Sequence, residues 1–166
     1  KSSLTETTMS YHVVAPQIYQ MNTYSLGEQM KTIAEARAIK YRLLNMYEEI
    51  EAGHKPKDAL KVIVVGAGPT GVEISGAVAE LQKSMKHEFP DIYKFGSVTL
   101  VEAGPRVLPM FKEKSSMHAQ KELEEIGVTV KTNAEVDRMY ESTVHLKNGE
   151  ILMARSEEHT SELQSH

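Results

Sequence analysis

The sequence predicts an α/β protein built on a doubly wound parallel sheet, incomplete within these residues. Three observations predict it. Strand-like and helix-like segments alternate β-α-β-α-β between Leu60 and Lys131, the order that winds a parallel sheet. The first strand, Lys61-Val62-Ile63-Val64-Val65, is a continuous β-branched run, as expected of a strand buried on both faces. A glycine-rich turn follows it directly and opens a helix.

Composition bounds what such a fold can do. The chain has 166 residues, a net charge of −4, 40% hydrophobic and 25% charged residues, which argues against wholesale disorder. A weakly acidic chain without a basic block predicts no nucleic-acid partner. No apolar run approaches the roughly 20 residues of a spanning helix, and no charged-then-apolar leader opens the chain. Cysteine is absent, so these residues hold no disulfide, thiolate metal site or redox-active cysteine pair. That absence fits a reducing compartment.

Residues 1–29 are polar and rich in Thr, Ser and Tyr, with one short apolar run at His12-Val13-Val14-Ala15. They read as irregular structure with one strand. Residues 32–52 read as an amphipathic helix, with Ile33, Ala36, Ile39, Leu43, Met46, Tyr47 and Ile50 at helical spacing. Thr32 and Glu35 form a capping box at its start, and Gly53 suits the position after its end. Gly53 to Asp58 is a linker. After the strand at 61–65, a helix is expected from Thr70 to about Lys86, a strand over 98–102, a helix from Glu113 to Ile126 stopped by Gly127, and a strand over 128–131. Thr143 to Leu146 alternates, Asn148-Gly149 supplies a hairpin turn, and Ile151-Leu152-Met153 begins the return.

The ends read as cuts. The chain opens on Lys1 rather than Met. Residues 155–166, RSEEHTSELQSH, carry no apolar periodicity and match the in-frame translation of a sequencing-library adapter, so they are excluded from the fold.

The chemistry centres on Gly66-Ala67-Gly68-Pro69-Thr70-Gly71. A bare GxGxxG is weak, but here a β-branched strand enters it and a helical pattern leaves it. Gly66 permits the tight turn, Gly68 lets a pyrophosphate approach the backbone, and Gly71 lets helix and strand pack closely. N–H groups and the positive end of the helix then face the anion. Pro69 costs little, because the first helical N–H groups lack an intrahelical acceptor anyway. An empty glycine turn is the weaker reading. Glu102, at the end of the second strand, is placed to accept bonds from the adenosine ribose hydroxyls and to repel a 2′-phosphate, favouring NADH over NADPH. It lies 36 residues after Gly66, against roughly 20 in the usual pattern. The excess falls in Gln82 to Gly96, a polar stretch that reads as a surface extension. The bland alternative for Glu102 is a solvated carboxylate.

VVGAGPTGVE, LVEAGPRVLP and the upstream Met30-Lys31-Thr32-Ile33-Ala34-Glu35-Ala36 resemble the two-dinucleotide-domain flavoproteins. Within them the chain is most similar to the type II NADH:quinone oxidoreductases, over about Tyr24 to Met153. That resemblance implies a Rossmann-like NADH-binding domain of FAD/NAD(P)-binding type over residues 58–154. Residues 1–57 would be a remnant of the FAD domain plus a linker helix. It implies NADH and FAD as cofactors and quinone as electron acceptor. It further implies peripheral attachment to the cytoplasmic side of a respiratory inner membrane through C-terminal parts not in this sequence, and it admits a homodimer. By position, Pro69 and Thr70 join the three glycines at the pyrophosphate. Glu73 would lie near the nicotinamide and flavin, and Val136 would touch the adenine. Ala103 and Arg106 follow the ribose-binding acid, with Arg106 either closing over the adenosine half or pairing on the surface. A first-turn acid complementing the helix dipole is an equal reading of Glu73. The family's FAD motifs are not in these residues, so this chain alone is expected not to turn over. The rival functions are a flavoprotein reductase with a soluble acceptor and a non-catalytic NAD-sensing module.

No other constellation carries chemistry. His12, His54, His87, His118 and His145 lack ligand spacing for a metal. Met30, Met46, Met110 and Met117 read as gap-filling, and no Ser/His/Asp arrangement stands out.

Overall fold

The computed structural model describes residues 12–14, 29–140 and 142–154. The expected irregular segments within residues 1–28 and the adapter-like tail at 155–166 lie outside the described residues, apart from the strand at 12–14.

A short strand, β1 (His12–Val14), precedes a long helix, α1 (Gln29–Glu51). The helix begins three residues before the expected capping box. Thr32 therefore lies inside it, not at its cap. Its end is as expected. Gly53 takes φ +85, its N–H bonds to the Ile50 carbonyl at 3.0 Å and the His54 N–H to the Glu49 carbonyl at 2.8 Å. That is the paired-bond helix ending that a residue with positive φ makes possible.

A 3₁₀ turn at Lys57–Leu60 leads into β2 (Lys61–Val65), then α2 (Pro69–Ser84), β3 (Ser97–Val101), α3 (Glu113–Glu125) and β4 (Val128–Lys131). Strands β2, β3 and β4 pair in parallel, and β1 adds antiparallel to the free edge of β2. A second sheet is an antiparallel meander of β5 (Val136–Met139), β6 (Thr143–Leu146) and β7 (Ile151–Met153). The hairpin was legible, but β5 was not expected. Its sequence, Val-Asp-Arg-Met, buries no residue fully and so shows no strand alternation.

Strand alternation sorts the central sheet into two faces. Val62, Val64, Val98, Leu100 and Val128 pack against Ile74, Val78 and Ala79 of α2 and Leu123 of α3. Ile63 and Val101 point the other way, onto Val144, Leu146 and Ala154 of the meander region. The central strands are covered on both sides, which is why β2 is an uninterrupted apolar run.

A third cluster corrects the reading of residues 82–96. Met85, Phe89 and Ile92 are buried against Met46, Tyr47 and Ile50 of α1 and Ala59 and Leu60 of the 3₁₀ turn. The segment is a packed corner that docks α1 onto the domain, not a surface extension. Its apolar residues are spread over irregular backbone, so no period reveals them. Gln82, buried, donates to the Leu60 carbonyl at 2.8 Å, and Gly96 closes over it. A Cβ at Gly96 would lie 2.8 Å from Gln82 Cδ and 3.1 Å from its Nε2. Gly96→Ala should therefore push Gln82 off its acceptor and leave a buried carbonyl unpaired, lowering stability by about 1–3 kcal/mol in urea denaturation. An unchanged midpoint would refute the contact.

Candidate functional site: the glycine turn and the loop after β3

The parallel strands β2, β3 and β4 present their carboxyl ends to one side, where open α/β sheets bind ligands. The glycine turn leaves β2 there. Gly66 takes φ +106, a conformation closed to most side chains, and its N–H donates to the Val101 carbonyl at 2.8 Å. Gly68 is the N-cap of α2 with extended backbone, and Pro69 occupies the first helical position. Thr70 follows, and Gly71 is buried in the first turn. A Cβ built on Gly68 would meet no atom within 4 Å. The space in front of the α2 N-terminus is open.

Glu102 stands one residue beyond the end of β3 rather than in it. Its side chain turns back to the glycine turn. Oε1 accepts from the Ala67 N–H at 2.9 Å, and Oε2 accepts from the Gly104 N–H at 2.9 Å. The carboxylate is half-buried and is not the solvated group of the bland reading. Each oxygen keeps a further lone pair for a ligand hydroxyl.

The loop from Glu102 to Lys112 wraps the turn. The Leu108 N–H donates to the Ala67 carbonyl at 2.8 Å, and Leu108 reaches it with φ +48. For a leucine that left-handed conformation costs about 1–2 kcal/mol. The buried Ser116 hydroxyl of α3 donates to the Val107 carbonyl. Arg106 Nη2 donates to the carbonyls of Phe111 at 2.8 Å and Pro109 at 3.3 Å. Nη2 is thus paired with carbonyls of its own loop in exposed bonds, and Nε is buried with no partner among the described residues. On the far side, the Asn133 N–H bonds to the Gly104 carbonyl at 2.8 Å and the Ala134 N–H to the Glu102 carbonyl at 3.0 Å.

The structure brings Gly66, Gly68, Pro69, Thr70, Gly71 and Glu102 together, with Ala103 exposed and Arg106 half-buried beside them. Glu73 is exposed on α2. It is the fifth residue of that helix, so the first-turn reading of this acid fails. Val136 opens β5 and packs, partly buried, into the cluster between the two sheets. Sequence reasoning missed Ala67, Gly104 and Leu108. Gly104 shows its part only in the structure, where a Cβ would sit 3.2 Å from Glu102 Oε2. Leucine gives no hint of a left-handed residue. Among the described residues no cluster of His, Asp and Glu could hold a metal ion, and no helix is long and apolar enough to cross a membrane.

A parallel β-turn-α unit with an open glycine N-cap and an acid at the next strand's end defines a dinucleotide-binding α/β domain. Comparison narrows the class. Residues 15–158 match the pyridine nucleotide-disulphide oxidoreductase family, and the chain belongs to that family. The type II NADH:quinone oxidoreductase Ndh of Mycobacterium tuberculosis is 33% identical over 133 residues, covering 77% of this chain and 29% of the relative. A probable mitochondrial NADH-ubiquinone oxidoreductase of Schizosaccharomyces pombe is 30% identical over 123 residues, covering 71% of this chain and 22% of the relative. Among solved structures, NDH2 of Plasmodium falciparum in complex with NADH superposes with a TM-score of 0.64 at 25% identity, covering 73% of this chain and 27% of that one. The chain spans less than a third of the length of these relatives. The resemblance read from the glycine motif and its flanks agrees with all three.

Proposed function

We propose that this chain is the NADH-binding portion of a flavoprotein oxidoreductase, an NADH:quinone oxidoreductase passing hydride from NADH to FAD and electrons to quinone. The observation that carries the reading is the open space at Gly68, bounded by the helix N-terminus and the Glu102 carboxylate. The residues present suit a dinucleotide: a cradle without side chains for the diphosphate and an anchored carboxylate for the ribose. Gly66, Gly68, Pro69, Thr70 and Gly71 would hold the pyrophosphate. Glu102 would bind the adenosine ribose, with Ala103 and Arg106 beside it and Val136 toward the adenine. Glu73 would lie toward the nicotinamide.

Bound NADH supplies the hydride; these residues bind and orient its adenosine and diphosphate. FAD has no second glycine turn among the described residues, so its cradle would come from further protein. The reading takes residues 58–154 as the nucleotide domain, residues 1–57 as a remnant of a flavin domain with α1 as linker, and 155–166 as foreign to the fold. It extends to peripheral attachment on the cytoplasmic side of a respiratory membrane, through protein outside this chain, and to a homodimer. Support comes from the relatives, whose names specify NADH and quinone or ubiquinone.

Fluorescence titration of the chain with NADH and with NADPH tests the reading. A 2′-phosphate would crowd the Glu102 carboxylate, so NADH should bind at least about tenfold more tightly, a difference of about 1.4 kcal/mol. Equal affinities would remove Glu102 from the ribose, and no binding of either would remove the site.

A further inference from the structure

Three glycines in six residues make the phosphate turn the segment with the most backbone freedom to lose. An anion site works only if its N–H groups are already aimed. Something outside the turn must therefore hold it, and the peptide groups on either side of Ala67 show what does. The Ala67 N–H is taken by Glu102 Oε1 and the Ala67 carbonyl by the Leu108 N–H. Both partners belong to the loop after β3.

Leu108 makes its bond from the left-handed conformation, which its side chain disfavours, so the loop must itself be braced. The carbonyls around Leu108 are pinned: Val107 by the Ser116 hydroxyl, Leu108 itself by the Phe111 N–H at 2.9 Å, and Pro109 and Phe111 by Arg106. We propose that the β3–α3 loop is a clamp that presets the glycine turn for a diphosphate, with Arg106 as the positioning residue that braces it. Arg106 acts through Leu108 and Ala67 and does not touch the nucleotide. The clamp is a property of the free chain; only its effect on ligand rests on the nucleotide reading above.

Arg106→Met in the 166-residue chain tests this by amide-resolved hydrogen exchange without ligand. The amides of Leu108 and Ala67 should exchange about tenfold faster, while that of Val144 in the meander keeps its parent rate. Arg106→Lys, which retains a donor toward the same carbonyls, should recover part of the protection. Inorganic pyrophosphate and NADH should both weaken by a similar factor, since each needs the preset turn. Unchanged exchange at Leu108 and Ala67 would overturn the clamp, and NADH weakened with pyrophosphate untouched would place Arg106 on the adenosine half instead. Equal acceleration at Val144 would also overturn it, by showing a global loss of stability. If the parent chain binds neither ligand, the nucleotide reading fails while the exchange arm still decides the clamp.

Discussion

Gly68→Val should leave the domain folded and lower NADH affinity by about two orders of magnitude, the equivalent of about 2.8 kcal/mol. The substitution is unusually clean. Gly68 has φ −74 and ψ −174, an extended backbone that any residue adopts, and its missing Cβ points into open space. The fold loses only N-cap quality, up to about 1 kcal/mol. What fills is the volume a diphosphate needs in order to reach the N–H groups at the start of α2. Gly66 could not give this separation, because its φ of +106 would strain any side chain and confuse unfolding with lost binding. A Gly68→Val chain with parental far-UV circular dichroism and parental NADH affinity would refute the site.

Tyr47→Ala should cost about 3–5 kcal/mol, the range for emptying a large aromatic site in a core. Tyr47 has 0% exposure and joins α1 to the 82–96 corner, with its ring 5.3 Å from that of Phe89. Its hydroxyl is buried and has no hydrogen-bond partner among the described residues. Removing that oxygen alone should therefore be neutral or stabilising, since a desolvated, unpaired group contributes nothing to the fold. Opposite outcomes for Tyr47→Phe and Tyr47→Ala in urea denaturation would show that packing, not polarity, anchors the helix.

Burial also pushes the Tyr47 phenol from its ordinary 10.0 up to about 12. The unfolded chain then releases this proton first as pH rises. The corresponding stability is fully present below pH 10 and is lost between about pH 10 and 12. Tyr47→Phe should flatten that part of the stability profile; an identical alkaline decline in both chains would count against it.

Sequence alone determined the parallel β-α-β-α-β order, the glycine turn and its helix, the hairpin and the acid at residue 102. Each is a local statement. β-branched runs, glycines at fixed offsets and an Asn-Gly pair act on their own few residues, so they read without knowledge of neighbours. Tertiary structure alone decided how residues 82–96 pack, that β5 exists, and what Arg106 and Leu108 do. Phe89 and Ile92 are core because α1 lies over them. β5 is a strand because β6 pairs with it. Arg106 folds back over its own loop because the carbonyls of Pro109 and Phe111 accept its bonds. Bonds made between segments distant in sequence, or by a strained backbone that no side chain announces, leave no period to read.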